Sequence, residues 1–394
     1  MKNLIKKLSY IPYYFSQYIK LPRIVALRFV AYLMPKCDNE SWLILERGHD
    51  AQDNAWHFLK YMVASHPEIK VRYAIKKNSP DYNANLAEYS DYVIEYNSVS
   101  YYIYMFRCSC IISTHLNTFT PSLFITTQLQ KSIFKFQGKI VFLQHGIIHR
   151  EMDGLKYPVQ NPDLFISGAA NEFELLKRTM NYPSDVIKYT GLARYDNLAS
   201  FSTKKQVLIM PTWRSKYVHC TVKEFKKIPF FKAYKAVLQN NDLRRALEES
   251  GYNIVFYNHM EFQKFNCCFE EFESDNVHIL KFGTKRVQEL LKESAVLVTD
   301  YSSIYYDFLY MNKPMIFFQF DKQEFDSSHY GHNYDDPSEF GYVAINASEV
   351  VMNLISLINN GCNLEEIYRH KSDAVFKYRD NKNCERIFNA IISL

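Results

Sequence analysis

Most of the chain alternates short apolar runs with longer stretches in which apolar residues recur at helical spacing. Short apolar runs are typical of buried parallel strands, and helix-length segments between them indicate βαβ units. The pattern restarts near residue 200. We therefore predict an α/β protein of two doubly wound domains that face a central cleft. Strands are predicted at residues 41–45, 71–75, 92–96, 110–113, 139–143, 164–167, 207–210, 253–257, 278–281, 295–299 and 314–318, and helices at 53–65, 172–180 and 304–310.

Size and composition exclude several classes of protein. A chain of 394 residues is too long for one ordinary core, and 47% hydrophobic with 23% charged residues indicates globular domains rather than disorder. The eight cysteines include no CxxC pair, which argues against a zinc ribbon or a secreted disulfide framework. A net charge of +5 is too small to predict nucleic-acid binding. Neither a P-loop nor a GxGxxG dinucleotide motif occurs.

Residues 1–36 contain only basic charges. Seven lysines and arginines come before the first acid, Asp38, with aromatic and aliphatic residues between them. The longest uncharged run, residues 8–19, is shorter than the roughly 20 apolar residues of a spanning helix. A basic, aromatic-rich amphipathic segment is typical of peripheral binding to an anionic membrane surface. The alternative is an ordinary first helix packed on the core.

Four polar segments each follow a predicted strand or a turn. They are residues 144–148 (QHGII), 191–196 (GLARYD), 211–214 (PTWR) and 299–307 (TDYSSIYYD). In open α/β sheets, ligands bind at the carboxyl ends of the strands, so loops repeatedly placed there predict one shared site. Arginines and paired serine hydroxyls suit phosphate, and histidine suits proton transfer. The sequence therefore predicts an enzyme that acts on a phosphorylated substrate.

Two histidines stand at comparable strand ends of the two halves. His145 precedes Gly146, whose missing side chain lets the backbone approach a ligand closely, and His259 follows the strand at 253–257. Together they form a candidate acid–base or phosphate-binding pair. Ser302 and Ser303 open a predicted helix, where their hydroxyls either bind an anion or simply cap the helix.

Four motifs occur along the chain in the order HG, GxxRxD, PTWR and DYSSxxxD. This ordered set resembles that of the CDP-glycerol glycerophosphotransferase family, the teichoic acid primases and polymerases. The resemblance spans roughly residues 40–345, including 48–54 (GHDAQDN) and a later stretch with Phe325, Tyr330 and Phe340. It implies a GT-B fold of two Rossmann-like domains. We accordingly divide the chain into the membrane-associating segment 1–36, an acceptor-side domain 37–200 and a CDP-donor domain 201–394.

The resemblance also implies residue roles. His145 matches the family's catalytic histidine, and the donor site is expected to include Arg194, Pro211, Thr212, His259, Ser302, Ser303 and Asp307. From the same loops we add Gly146, Arg214, Thr299 and Asp300 as substrate-binding residues, with His259 also in the catalytic pair. The chain has Ile147-Ile148 where the family usually has Thr-Pro. It also lacks the arginine of the family's Arg-x-His-Pro, so the polyol stays open.

The reaction implied is transfer of glycerol phosphate, or a related polyol phosphate, from a CDP-activated donor to a hydroxyl of a lipid-linked or glycan acceptor. CMP is released, at the cytoplasmic face of the membrane, in synthesis of teichoic acid, capsule or a similar surface polymer. The motifs require no cofactor and are compatible with a divalent cation. His329, His332, Asp326 and Asp335 form a polar loop that ordinary composition explains without a metal.

Two alternatives stay open on the sequence. A GT-B glycosyltransferase that uses a nucleotide sugar shares the fold but reacts at carbon, and donor screening separates the two enzymes. A catalytically inactive, membrane-attached assembly factor is the non-enzymatic alternative. The presence of His145, both serines and both arginines argues against it.

Overall fold

The computed structural model describes residues 11–34, 40–116, 136–328 and 335–394, with side chains from residue 21 onward in the first helix. Within these ranges the chain forms one sheet of seven strands and one of six. Every pairing between these strands is parallel, as the buried apolar runs predict. The two-domain α/β architecture predicted from the sequence is confirmed.

The first sheet has the strand order β3-β2-β1-β4-β5-β6-β7. Its strands are β1 (Ser41–Leu45), β2 (Lys70–Ile75), β3 (Val93–Glu95), β4 (Cys110–Ser113), β5 (Lys139–Phe142), β6 (Leu164–Ser167) and β7 (Ile187–Tyr189). Its helices are α1 (Ile11–Leu33), α2 (Asn54–Ser65), α3 (Val99–Arg107) and α4 (Ala170–Arg178).

The second sheet has the order β10-β9-β8-β11-β12-β13. Its strands are β8 (Gln206–Ile209), β9 (Asn253–Phe256), β10 (Val277–Ile279), β11 (Val296–Thr299), β12 (Met315–Phe318) and β13 (Tyr342–Ala344). The helices that follow β8 in the chain are α5 (Val222–Phe225), α6 (Pro229–Leu238), α7 (Asn241–Ser250), α8 (Val287–Glu293), α9 (Tyr305–Tyr310), α10 (Lys322–Ser328), α11 (Ala347–Asn359), α12 (Glu366–Val375) and α13 (Asn383–Ile392). Short 3₁₀ or π segments lie at Tyr82–Leu86, Ala87–Tyr92, Asp153–Leu155, Ala193–Asn197, Ser215–Tyr217, Met260–Cys268, Glu270–Phe272 and Pro337–Glu339.

The predicted strands all form, with ends that differ by a few residues. The short strands β7 and β13 lie in segments for which no strand was predicted, because three residues carry too little periodicity. The long segment at 222–250 contains three helices, with Pro229 at the start of α6 and Asn240 capping α7.

The last helix, α13, returns to the first domain. Ile387 and Ile391 are buried in the same core cluster as Trp42 and Ile44 of β1. The Asp196 carboxylate accepts main-chain N–H groups at the start of this helix. Residues 201–394, predicted as one domain, therefore do not form a single separate unit, because the apolar face of the last helix packs on the first sheet.

Candidate active site

The predicted site loops lie at the carboxyl edges of both sheets. The strand order reverses between β1 and β4 in the first sheet and between β8 and β11 in the second. Ligands of open α/β sheets bind in the crevice at such switch points. The PTWR segment follows β8 and the DYSS segment follows β11, so two of the four motifs meet at one switch point. His145 follows β5, the neighbour of β4.

A residue in the left-handed region turns the chain at the end of β5. Gln144 has φ +49°, an uncommon conformation for a residue other than glycine, which neighbouring contacts must hold in place. Its side-chain amide donates to the main-chain oxygen of Ile166 (2.8 Å) and to the Glu172 carboxylate (2.9 Å). Its own main-chain oxygen accepts from the Asn54 amide at 2.8 Å. These contacts direct the next residue, His145, out of the sheet.

Gly146 stands where the two domains touch. A methyl group on its Cα would lie 3.0 Å from Ser303 Oγ, closer than ordinary van der Waals contact. The sequence predicts a close approach of Gly146 to a ligand; the neighbour that the structure shows there is the loop after β11, and contact with a ligand stays a prediction. The HG and DYSS motifs, which belong to different sheets, are in contact.

The His145 ring is reached by solvent yet surrounded by protein. It stacks on the ring of His115, with centroids 4.5 Å apart and planes inclined by 12°. Burial is the main cause that lowers the pKa of His145 below 6.5; nearby Asp53 opposes this effect and Arg194 adds to it. The His145 ring is thus reached by solvent while protein atoms surround it, as expected for a side chain in a cleft. The imidazole is neutral near pH 7 and able to accept a proton.

His259 belongs to the second domain and lies just beyond the end of β9. Arg47 lowers the pKa of both His145 and His259, so the two rings lie within electrostatic range of one guanidinium. Burial is the larger cause of the lowered pKa of His259. Its Nδ1 accepts the main-chain N–H of Glu261 at 3.3 Å, and its ring stacks on Trp213 with centroids 5.8 Å apart. The catalytic pairing of the two histidines stays a prediction.

Arg194 joins the two domains through carboxylates. Its Nε and Nη2 donate to the two oxygens of Asp307 at 3.0 and 2.8 Å, and its Nη1 donates to Asp53 at 2.8 Å. Nη1 also donates to the main-chain oxygen of His145 at 2.8 Å. Arg194 and Asp307 are both buried. The sequence predicts that Arg194 and Asp307 line the donor site; the structure places them behind the histidine turn, where each neutralises the other.

Arg214 is likewise enclosed in an ion-pair network, within the second domain. It donates to Asp300 at 2.9 Å and to both oxygens of Asp321 at 2.7 and 2.9 Å, and it lies over the rings of Tyr301 and Phe325. Only 4% of its side chain and none of that of Asp300 is exposed. These two residues were predicted to bind substrate; the structure encloses both in the ion-pair network, and their contact with substrate stays a prediction.

Thr299 and Thr212, two smaller polar residues of these loops, differ in the hydrogen bonds that their hydroxyls make. Thr299 is internal, because its hydroxyl donates to the main-chain oxygen of Met210 at 2.8 Å, and Pro211 beside it is buried. The buried Thr212 hydroxyl finds no hydrogen-bond partner among the described residues. A buried hydroxyl without a partner is uncommon and points to a ligand or water.

Ser302 and Ser303 are half-buried at the approach to α9. The helix begins at Tyr305, one residue later than predicted, and the residue preceding it, Ile304, makes no side-chain cap. Ser302 Oγ accepts the N–H of Ile304 at a long 3.4 Å. Helix capping therefore explains only weakly why two serines stand here, and the anion contact predicted for them stays a prediction.

No group of three or more His, Cys, Asp or Glu side chains is arranged to hold a metal in the part of the chain that the structure describes. Of the polar loop considered from the sequence, His329 and His332 lie outside the described residues, as does Tyr330. Asp326 lies in α10 and Asp335 accepts from Asn171 at 2.8 Å. Metal independence stays a prediction.

Three residues of the site were not singled out from the sequence. His115 follows the buried strand β4, so the same rule that selected His145 would have found it. Asp53 lies in the GHDAQDN segment, whose resemblance to the family was noted without a role. Glu172 carried no signal beyond its place in a predicted helix, because its partners are distant in sequence.

Residues 26–393 match the family described as CDP-Glycerol:Poly(glycerophosphate) glycerophosphotransferase. The chain belongs to this family. This match confirms both the family resemblance and the enzyme class that were predicted from the sequence. The minor teichoic acid biosynthesis protein GgaB of Bacillus subtilis (strain 168) is 32% identical over 367 residues, which are 90% of this chain and 40% of that protein. The chain thus spans about two fifths of the length of this relative.

Solved structures of this family's fold match along the chain. The wall teichoic acid polymerase TagF aligns with a TM-score of 0.67 at 17% identity, covering 100% of this chain and 98% of the other. A TagF variant soaked with CDPG aligns with a TM-score of 0.66 at 16% identity, covering 96% and 97%. UDP-GlcNAc 2-epimerase from Neisseria meningitidis, bound to UDP-GlcNAc, gives 0.54 at 13% identity, covering 90% and 100%. These likenesses confirm the predicted GT-B fold.

Proposed function

We propose that this chain transfers glycerol phosphate, or a related polyol phosphate, from a CDP-activated donor to a hydroxyl of a lipid-linked or glycan acceptor. The observation that carries the proposal is the contact of Gly146 with Ser303. The contact supports a site in which the solvent-reached imidazole that precedes Gly146 and the hydroxyls at the switch point of the second sheet serve one cleft. A base from one domain and a phosphate-binding loop from the other meet at a single cleft.

The chemistry follows from the charge state of His145. The acceptor hydroxyl gives its proton to the imidazole while its oxygen attacks the β-phosphorus of the donor. The new P–O bond forms as the bond to the CMP oxygen breaks, and CMP leaves with that electron pair. General base catalysis of this kind contributes about 10²–10⁴-fold. Because the lowered pKa of His145 keeps the ring neutral, the base is ready near pH 7.

We assign the donor to the second domain. The Thr212 hydroxyl, which no described residue binds, and the hydroxyls of Ser302 and Ser303 are the groups we assign to its phosphates. His259, stacked on Trp213, lies at the end of β9 on the same sheet edge and completes the set. Arg194 acts through the backbone of the histidine turn rather than as the first phosphate contact.

The first helix supports attachment to an anionic membrane surface. Ile24 and Ala31 of α1 are buried, whereas Phe29, Tyr32 and Leu33 are 64%, 79% and 66% exposed. No helix among the described residues is both long enough and apolar enough to cross a membrane. Exposed aromatic and aliphatic side chains beside the basic residues of segment 1–36 suit peripheral binding at the cytoplasmic face. This placement, and the teichoic acid relative, support a role in surface-polymer synthesis.

A donor panel tests the proposal. Purified protein is incubated with CDP-glycerol, CDP-ribitol or a UDP-sugar and a lipid or glycan acceptor, with and without a chelator, and the released nucleotide is identified. CMP release that depends on acceptor supports the proposal, and its persistence with chelator supports metal independence. UDP release would instead indicate a glycosyltransferase. Release of neither nucleotide, from protein that is folded and binds the membrane, would favour the inactive assembly factor.

A further inference from the structure

Glu172 is a carboxylate fully buried behind the histidine turn. It lies in the first turn of α4, with none of its surface exposed. Oε1 accepts the main-chain N–H of Ile148 at 2.6 Å. Oε2 accepts from the main-chain N–H of Gly168 (2.7 Å), the Gln144 side-chain amide (2.9 Å) and the Ser167 hydroxyl (3.1 Å). In the described part of the chain its hydrogen-bond donors are neutral groups, with no Lys or Arg among them.

These partners divide into two pairs. Gly168 and Ser167 precede α4, so their bonds are local and serve the start of that helix. Gln144 and Ile148 lie on either side of His145, far from Glu172 in sequence. One carboxylate thus ties down both ends of the turn that carries the imidazole.

The turn needs such support because Gln144 is held at φ +49°. Residues in this region persist only where neighbouring groups over-determine their conformation. A buried carboxylate is itself costly: burial raises the pKa of Glu172 to about 7, although its four hydrogen-bond donors favour the charged form. A left-handed glutamine and a buried acid are each unfavourable alone. Hydrogen-bonded to each other, they stabilise the turn that carries the His145 ring.

We propose that Glu172 is the positioning residue for His145, setting the direction of the imidazole through Gln144 and Ile148 without touching substrate. The inference rests on the proposed function, in which His145 is the base. A purely structural role for Glu172 predicts lost stability alone. A positioning role predicts lost turnover in protein that still folds and still binds donor, because displacement of a reacting group by about 1 Å can cost about 10²-fold in rate.

The test compares Glu172→Gln with Glu174→Gln on the same helix. Glu174 is 47% exposed and pairs with Arg178, so its variant controls for loss of a carboxylate from α4. For Glu172→Gln we expect kcat to fall about tenfold to 10²-fold with unchanged affinity for CDP-glycerol. We also expect the pKa of His145, followed by NMR of labelled histidine, to move toward 6.5 as the turn loosens. Glu174→Gln should match the wild type in all three measurements.

Two outcomes overturn the proposal: wild-type kcat in Glu172→Gln, or a fall in kcat with an unchanged His145 titration. If Glu172→Gln fails to fold, Gln144→Asn decides, because asparagine tolerates positive φ but is too short to keep the bond to Glu172. Wild-type kcat and titration in that variant overturn the proposal equally. If the wild type releases no CMP from any CDP-polyol, the proposed function fails, while the NMR titration still reports whether Glu172 orients His145.

Discussion

Gly146 and Ser303 belong to different domains, yet a single added methyl group on Gly146 would lie 3.0 Å from Ser303 Oγ. This contact joins the loop after β5 to the loop after β11 and brings the proposed base to the proposed phosphate-binding hydroxyls. The spacing leaves room for a hydrogen atom but none for a side chain. It therefore makes a specific prediction about glycine at this position.

Gly146→Ala should destabilise the contact between the domains by about 1 kcal/mol, in the range of modest overpacking. Removal of the Ser303 hydroxyl by Ser303→Ala should recover part of that loss, which a double-mutant cycle of urea unfolding measures. Gly154→Ala is the control, because a Cβ there meets nothing within 4 Å. Additive effects of the two substitutions would contradict the contact.

His145→Ala should lower kcat by about 10² or more while leaving donor affinity and folding nearly intact, because the ring acts on the acceptor's proton. CMP release and CDP-glycerol binding by calorimetry measure the two effects separately. His370→Ala, which removes a 76% exposed imidazole from α12, is the matched control. Near-normal turnover in His145→Ala would remove this residue from the mechanism.

The pH dependence of kcat/KM should show a base that titrates below pH 6.5. Burial lowers the pKa of His145, so its proton leaves at a lower pH than from an ordinary histidine. Activity requires the neutral ring and should therefore rise with pH and reach half its plateau below pH 6.5. A half-point above pH 6.5 would contradict a base whose pKa is lowered by its surroundings. The measurement is CMP release across pH 4.5 to 8, with stability of the protein checked at each pH.

Asp307→Asn should cost about 3 kcal/mol of unfolding free energy, since it leaves the buried Arg194 guanidinium with one carboxylate fewer. The control is Asp380→Asn, which breaks a two-pronged pair with Arg386 that is 48% exposed on the carboxylate side. Solvent screens that pair, so we expect a cost below about 1 kcal/mol. Urea unfolding of both variants checks the difference, and equal costs would refute the buried network.

Phe29→Glu combined with Leu33→Glu should abolish sedimentation with anionic liposomes while CMP release with a short soluble acceptor survives. Both side chains are exposed on α1, so folding should be unaffected. Deletion of residues 1–36 is a poorer test, because Ile24 is buried against the core beside Tyr101. High salt should release the intact protein from the liposomes. Undiminished binding by the double variant would place the membrane contact elsewhere.

Local patterns in the sequence were enough to predict the sheets and the loops that matter. The run at 139–143 is followed by Gln144 and His145, and the run at 295–299 is followed by Asp300. Burial of short apolar runs with polar residues after them does not depend on distant partners. The roles of the arginines were less accessible. Arg194 and Arg214 have the chemistry of phosphate ligands, but the acids that enclose them come from loops and helices far along the chain.

The sequence by itself determined the α/β class, most of the strands and the family, because hydrophobic period and motif order are local properties of the chain. Only the tertiary structure decided that Gly146 meets Ser303, that Glu172 holds the turn of His145, and that α13 completes the first core. Each of these depends on pairing across long sequence separations. A residue type shows which bonds a side chain is able to make, and the packing of the fold decides which partner is within reach.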